Sequence, residues 1–169
     1  LNLDGNSWAE VHDNESLDFG TGSFTLEAWA KFSYVSQGSS LNAILTLGGD
    51  TGELNQGRAA LVSLSSSKMS FFYNATGNSS TSTFSDGDWV HFVAVYDETN
   101  AIAYINGAEE STTARTAHSI TNTDVKMIGR DSIATRYYND QIAQPRIYNR
   151  ALTASEVLQN YNATKDLYI

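Results

Sequence analysis

Short runs of β-branched and aromatic residues, each closed by Gly, Asn, Asp, Ser or Thr, recur along the chain and constrain its fold more than any other feature. Trp8 to Val11, Ser23 to Phe32, Ala43 to Leu47, Ala59 to Leu64, Lys68 to Tyr73, Trp89 to Tyr96, Ile102 to Ile105, Val125 to Ile128 and Ile142 to Tyr148 all suit a pleated surface. Nine or more strands at this spacing predict an all-β sandwich or barrel. The alternation is sharpest between Trp89 and Gly107. Val90, Phe92, Ala94 and Tyr96 share one face, Asp97 to Asn100 turns, and Ala101 to Ile105 returns. Asn106-Gly107, two residues at ease with positive φ, predicts a second tight turn immediately afterwards.

One helix is predicted near the C-terminus. Thr153-Ala154-Ser155-Glu156 forms a capping box, and Val157, Leu158 and Tyr161 supply an apolar stripe. A single helix after many strands is expected to pack against the sandwich edge and hide it. The long polar stretches Ser33 to Asn42, Gly48 to Gly57, Asn74 to Asp86 and Arg130 to Asn139 read as loops, the usual place for a binding site on a rigid sheet scaffold.

The 169 residues suit one domain, and a 41% hydrophobic content supplies enough apolar surface for one core. Opening at Leu1 without an initiator Met, the chain reads as a single domain, residues 1–169, cut from a longer protein. Its net charge is −9, with six Arg and four Lys scattered, so the basic patch that nucleic acid needs is missing. No apolar run reaches the roughly 18 residues of a membrane span, so membrane insertion is not expected. Absence of cysteine removes disulfides, thiol nucleophiles and thiolate metal sites.

Leu3-Asp4-Gly5, Phe24 to Trp29, Trp89 to Asp97, Tyr104-Ile105-Asn106-Gly107, Ile128-Gly129 and Pro145 to Leu152, taken in order, resemble the laminin-G-like, concanavalin A-like jelly-roll family. The resemblance implies an antiparallel two-sheet jelly-roll β-sandwich with Ca²⁺ and sugar or protein ligands held on a concave face or its rim loops. The ending Asn160 to Lys165 resembles the tails of such domains in phage virion proteins and bacterial surface proteins, which implies an extracellular, cell-surface or virion setting and an oligomeric parent protein. One departure matters. Relatives often carry Asp after the isoleucine of the last strand and pair it with an N-terminal carboxylate around a structural Ca²⁺. Here Ala143 stands at that position, so Asp4 lacks the implied partner.

Some relatives are hydrolases, so the residues must decide on catalysis. Glucanases of this fold carry two carboxylates about 5–5.5 Å apart on alternate positions of one strand. In the nearest cluster, Glu10-Val11-His12-Asp13-Asn14-Glu15, Glu10 and Asp13 differ by an odd number and would face opposite ways on a regular strand, and the segment reads as a solvated strand end and turn. His12, His91 and His118 are too dispersed for a zinc set, and His91, beside Trp89, reads as a structural group. No Gly-x-Ser-x-Gly elbow is present. The chain is therefore expected not to be an enzyme.

Two binding chemistries remain. The loops Gly48 to Glu53, Thr123 to Val125 and Gly129 to Asp131 would meet in a laminin-G-like fold, where Asp50, Asp124 and Asp131 would hold one Ca²⁺; the competing reading has these Asp capping turns. For sugar, Arg130 to Asn139 offers aromatic rings beside polar groups, with Arg130, Arg136, Tyr137, Tyr138 and Asn139 as the candidate ligand-binding set. Tyr34 and Tyr73, at the borders of other loops, would join it. Alternation makes one of Tyr137 and Tyr138 a core residue, and Trp29 and Trp89 are expected to serve mainly in packing. Three readings follow: a non-catalytic module adhering to a glycan or cell-surface receptor, a structural or protein-interaction domain, and a glycan-active enzyme with an unfamiliar site.

Overall fold

The computed structural model describes residues 1–33, 41–48, 59–74, 76–120, 126–131 and 136–169. Its strands are β1 (Ala9–Val11), β2 (Phe24–Lys31), β3 (Leu41–Leu47), β4 (Ala59–Leu64), β5 (Met69–Tyr73), β6 (Thr76–Ser79), β7 (Trp89–Tyr96), β8 (Asn100–Ile105), β9 (Ala108–Ala114), β10 (Lys126–Ile128) and β11 (Ile142–Tyr148). They form a six-stranded sheet in the order β1-β10-β3-β4-β5-β6 and a five-stranded sheet in the order β11-β2-β7-β8-β9. Every pairing is antiparallel. All nine strand segments read from the sequence recur, and β6 and β9 are added to them.

Alternation places the core where expected. Phe24, Leu26, Ala28 and Ala30 of β2 and Val90, Phe92, Ala94 and Tyr96 of β7 meet Leu45, Leu47, Leu61, Phe71 and Tyr73 of the other sheet in one buried cluster. Asn106 and Gly107 both take positive φ, 50° and 82°, as a two-residue turn between β8 and β9 requires. Gly107 also lets the helix approach, since a Cβ there would stand 3.0 Å from both Leu158 and Tyr161.

The two missed strands are edge strands. β6 carries no alternating apolar residues, and β9 reads Ala-Glu-Glu-Ser-Thr-Thr-Ala, mostly facing water. What joins this side of the sandwich is polar: the buried Asn78 donates from Nδ2 to the Ala101 carbonyl at 2.8 Å and accepts from Thr113 Oγ1 at 3.1 Å. Ser111 Oγ adds a bond to the Ser79 carbonyl at 3.0 Å.

Helix α1 (Ala154–Thr164) begins with the expected capping box, in which Thr153 Oγ1 accepts from Glu156 N–H and the Glu156 carboxylate accepts from Thr153 N–H. Arg150 binds the same carboxylate and, with Thr153, holds its pKa down to about 2. The helix covers the outer face of the five-stranded sheet rather than an edge. Its Val157 is buried with Val93, Val95, Tyr104 and Leu152, and its Tyr161 stacks on Trp29 at 5.8 Å. The outward residues of β2 and β7 beneath the helix include Trp29, His91, Val93 and Val95, apolar or aromatic enough to demand such a cover, beside the polar Thr25 and Glu27.

Candidate functional site

The exposed aromatic–arginine cluster lies where β1 meets β10. Ala9 pairs with Ile128, whose side chain packs towards the core, so alternation turns Glu10, and Trp8 just before the strand, outward. Trp8 is 38% exposed, and its indole N–H donates to Glu10 Oε1 at 2.6 Å. The Arg130 guanidinium carbon sits 4.3 Å from the Trp8 ring centroid and 5.4 Å from that of Tyr137. The two rings lie 5.7 Å apart at 54°. The cation and the two rings thus form a triangle of mutual contacts, and a cation–ring contact is worth about 0.5–1 kcal/mol at an exposed position. Arg130 Nε is buried and has no hydrogen-bond partner among the described residues.

Backbone bonds hold this rim in place. Tyr138 N–H donates to the Gly129 carbonyl at 2.9 Å, and Gly129 N–H donates to Ile44 of β3 at 2.9 Å. Gly129 has φ 83° and lies against Leu3, so the turn that presents Arg130 needs glycine.

The candidate residues read from the sequence divide. Arg130 and Tyr137 come together, joined by Trp8. Asn139 is exposed, with its carbonyl accepting from Ser33 Oγ at 3.0 Å. Arg136 donates to Asp131 Oδ2 at 3.1 Å, and Asp131 is fully buried. Tyr138 must be withdrawn from the ligand set: it is the core member of the Tyr137-Tyr138 pair, fully buried, with its hydroxyl donating to the Lys31 carbonyl at 2.8 Å. Burial pushes its phenol pKa strongly upward. Tyr73 is likewise a core residue, and its hydroxyl bonds the His118 backbone. Tyr34, Asp50 and Asp124 lie outside the described residues, as does most of Gly48 to Glu53 and all of Thr123 to Val125.

For calcium, Asp131 does not fit as an open ligand, because its carboxylate is buried against Arg136. Among the described residues no group of three or more His, Asp or Glu is placed to hold a metal. Asp4 caps its own turn, its Oδ1 accepting from Asn6 N–H, Ser7 N–H and Ser7 Oγ. Asp13 pairs with the buried Lys126 at 2.7 Å, and Glu10 holds Trp8.

A second polar cluster, not anticipated as a unit, lies beneath α1. Glu27, 1% exposed, accepts from Arg146 Nη1 at 2.5 Å, Tyr148 hydroxyl at 3.0 Å and Asn160 Nδ2 at 2.8 Å, with His91 Nε2 at 3.1 Å. His91 is fully buried, as a structural group should be. Glu27, His91 and Arg146 could be mistaken for an acid–base set, but the carboxylate is closed over by the helix that it fastens. Arg146 reaches it because β11 bulges between Ala143 and Arg146, where Gln144 takes φ 47°.

Comparisons with solved structures agree with this architecture. The chain is similar to the binding domain of Paraclostridial Mosquitocidal Protein 1, with TM-score 0.70 and 22% identity over 96% of this chain and 42% of that one. It is similar to a candidate carbohydrate binding protein from Bacteroides ovatus, with TM-score 0.69 and 19% identity over 94% of this chain and 47% of that one. It is also similar to Trypanosoma rangeli sialidase, with TM-score 0.69 and 17% identity over 99% of this chain and 27% of that one. The chain thus spans less than half the length of each, and identities this low speak for the fold alone. No curated protein matches the chain in sequence. Residues 3–158 match the laminin-G family model described as the concanavalin A-like lectin/glucanases superfamily, and the chain belongs to that superfamily.

Proposed function

We propose that this domain is a non-catalytic module that adheres to glycans on a cell surface or polysaccharide, taking a sugar at the rim formed by Trp8, Arg130 and Tyr137. The observation that carries the reading is the exposed Trp8 ring, fixed by Arg130 and Glu10 beside Tyr137. An apolar sugar face stacks on an aromatic ring while its hydroxyls seek charged and amide groups, and Arg130, Glu10 and Asn139 supply those. Similarity to a toxin binding domain and to a candidate carbohydrate binding protein supports a binding role for the same scaffold. An extracellular or virion setting fits, since an oligomeric parent would multiply weak single-site affinity.

The test is a glycan array followed by calorimetry on the best binder. Trp8→Ala and Tyr137→Ala should each weaken binding about tenfold, the loss of one stacking contact. An array without binders, with a defined oligomer by light scattering, would instead favour a protein-interaction domain. Steady product release from a polysaccharide would favour an enzyme. Calcium assistance through Asp50 and Asp124 belongs to the same proposal; it fails if millimolar Ca²⁺ leaves the melting temperature and the glycan affinity of chelator-treated protein unchanged.

A further inference from the structure

The outer face of the five-stranded sheet, opposite the sheet that carries Trp8, bears a second cleft of about 310 Å³. Trp89, Tyr168, Gln141, Asn2 and Ala143 line it. Trp89 opens β7 and, by alternation with the inward Val90, faces out. Its ring lies 4.7 Å from Tyr168, which stacks on the buried Trp29 at 4.5 Å. The Tyr168 hydroxyl accepts from Gln144 Nε2 at 3.2 Å. Trp89 is thus held in a fixed orientation without help from a ligand, which lowers the ordering cost of binding.

Hydrogen-bonding capacity is left over in the same place. The indole N–H groups of Trp8 and Trp29 donate to Glu10 and Thr164, whereas Trp89 makes no such bond among the described residues. Asn2 and Gln141 are exposed, and their backbones form a β-bridge, so their two amides are carried on ordered chain. Leu1 lines the cleft too, its α-amino group already donating to the Ile142 carbonyl at 2.8 Å, and among the described residues no charged side chain does. A fixed, half-exposed indole with a spare donor, two amides that each donate and accept, and the lack of a charged side chain there together match an uncharged sugar better than an ionic ligand.

We propose that this cleft is a second saccharide-binding site, specific for neutral sugars, with Trp89 as the platform and Gln141 and Asn2 as hydroxyl partners. It does not rest on the rim reading. Two sites on opposite sheets would let one domain bridge two polysaccharide chains.

The chain has three tryptophans, in the rim, the core and this cleft, so its three indole N–H resonances separate the possibilities. Uniformly ¹⁵N-labelled protein is titrated with cellotetraose, laminaritetraose and triacetylchitotriose to millimolar concentration. The expected result is a saturable shift of the Trp89 signal with at least one of these, while the Trp29 signal stays in place. Gln141→Ala, an exposed substitution, should weaken that titration about fivefold, the loss of one hydrogen bond. Movement of Trp8 alone, or of no indole, would overturn the cleft. Movement of Trp89 alone would uphold it and count against the rim. An unchanged affinity in Gln141→Ala would overturn the assigned partner.

Discussion

Replacing Glu27 with glutamine tests how the C-terminal helix is fastened. The carboxylate takes three donors from β11 and α1 and lies against His91, at 1% exposure. Glutamine keeps the shape but presents one NH₂. Asn160 and Tyr148 donate to one oxygen and Arg146 to the other, so either orientation of the amide sets donor against donor. A hydrogen bond to a charged group is worth about 1.5–3 kcal/mol, and breaking a buried ion pair costs about 3–5 kcal/mol. Arg146 is 36% exposed and water screens its share, which places the loss near 3 kcal/mol. In a chain of this size that is a fall in melting temperature of about 6–12 °C. Burial alone would raise the Glu27 pKa; the hydrogen bond and charge of His91, the charge of Arg146 and the bond from Asn160 outweigh it and leave the pKa below 4.5. The folded protein therefore binds this proton less tightly than the unfolded chain. The stabilisation is full above 4.5 and is lost as pH falls from there through the folded value. Urea unfolding followed by tryptophan fluorescence should show the wild-type advantage at neutral pH and its narrowing on acidification. A difference under about 1 kcal/mol at neutral pH, or one that stays constant in acid, would refute the reasoning.

Two further substitutions probe the scaffold. Gly129→Ala places a Cβ 2.2 Å from Leu3 Cδ1 at φ 83°, so strain and overpacking together should cost about 2–4 kcal/mol in thermal unfolding, with part recovered in a Leu3→Ala background. Asn78→Ala removes the link between β6 and the facing sheet and strands the Thr113 hydroxyl, and urea unfolding should register a loss of about 2 kcal/mol. A loss below about 0.5 kcal/mol would show the link to be dispensable.

Strands that bury one face were legible because alternation is a direct record of burial, as in Val90, Phe92, Ala94 and Tyr96. β6 and β9 were not, because their cohesion comes from partners distant in sequence, Asn78 to Ala101 and Ser111 to Ser79, and not from their own side-chain pattern. The capping box located the start of α1, since its bonds are local. Where the helix docks depends on the outward residues of β2 and β7, Trp29, His91, Val93 and Val95. β7 is largely apolar on both faces, but β2 turns Thr25 and Glu27 the same way as Trp29, so along the chain the pair reads as mixed and the docking face was not legible.

The rim shows the same division between local and distant information. A loop reading collects neighbours in the chain, and so it joined Tyr138 to Tyr137 and Arg130. Alternation then sends Tyr138 inward, where Lys31 accepts its hydroxyl, and the ring that replaces it at the rim is Trp8. Trp8 reaches Arg130 only because Ala9 pairs with Ile128, a register in which 119 residues separate the partners. No spacing rule along the chain encodes that meeting; the two strands' shared need to bury Ile128 against the core does. A one-residue slip of β1 on β10 would turn Trp8 inward and Ala9 outward. The aromatic–arginine rim is therefore as secure as that register, and Gly129, which lets Leu3 pack beneath the turn, is the residue on which both depend.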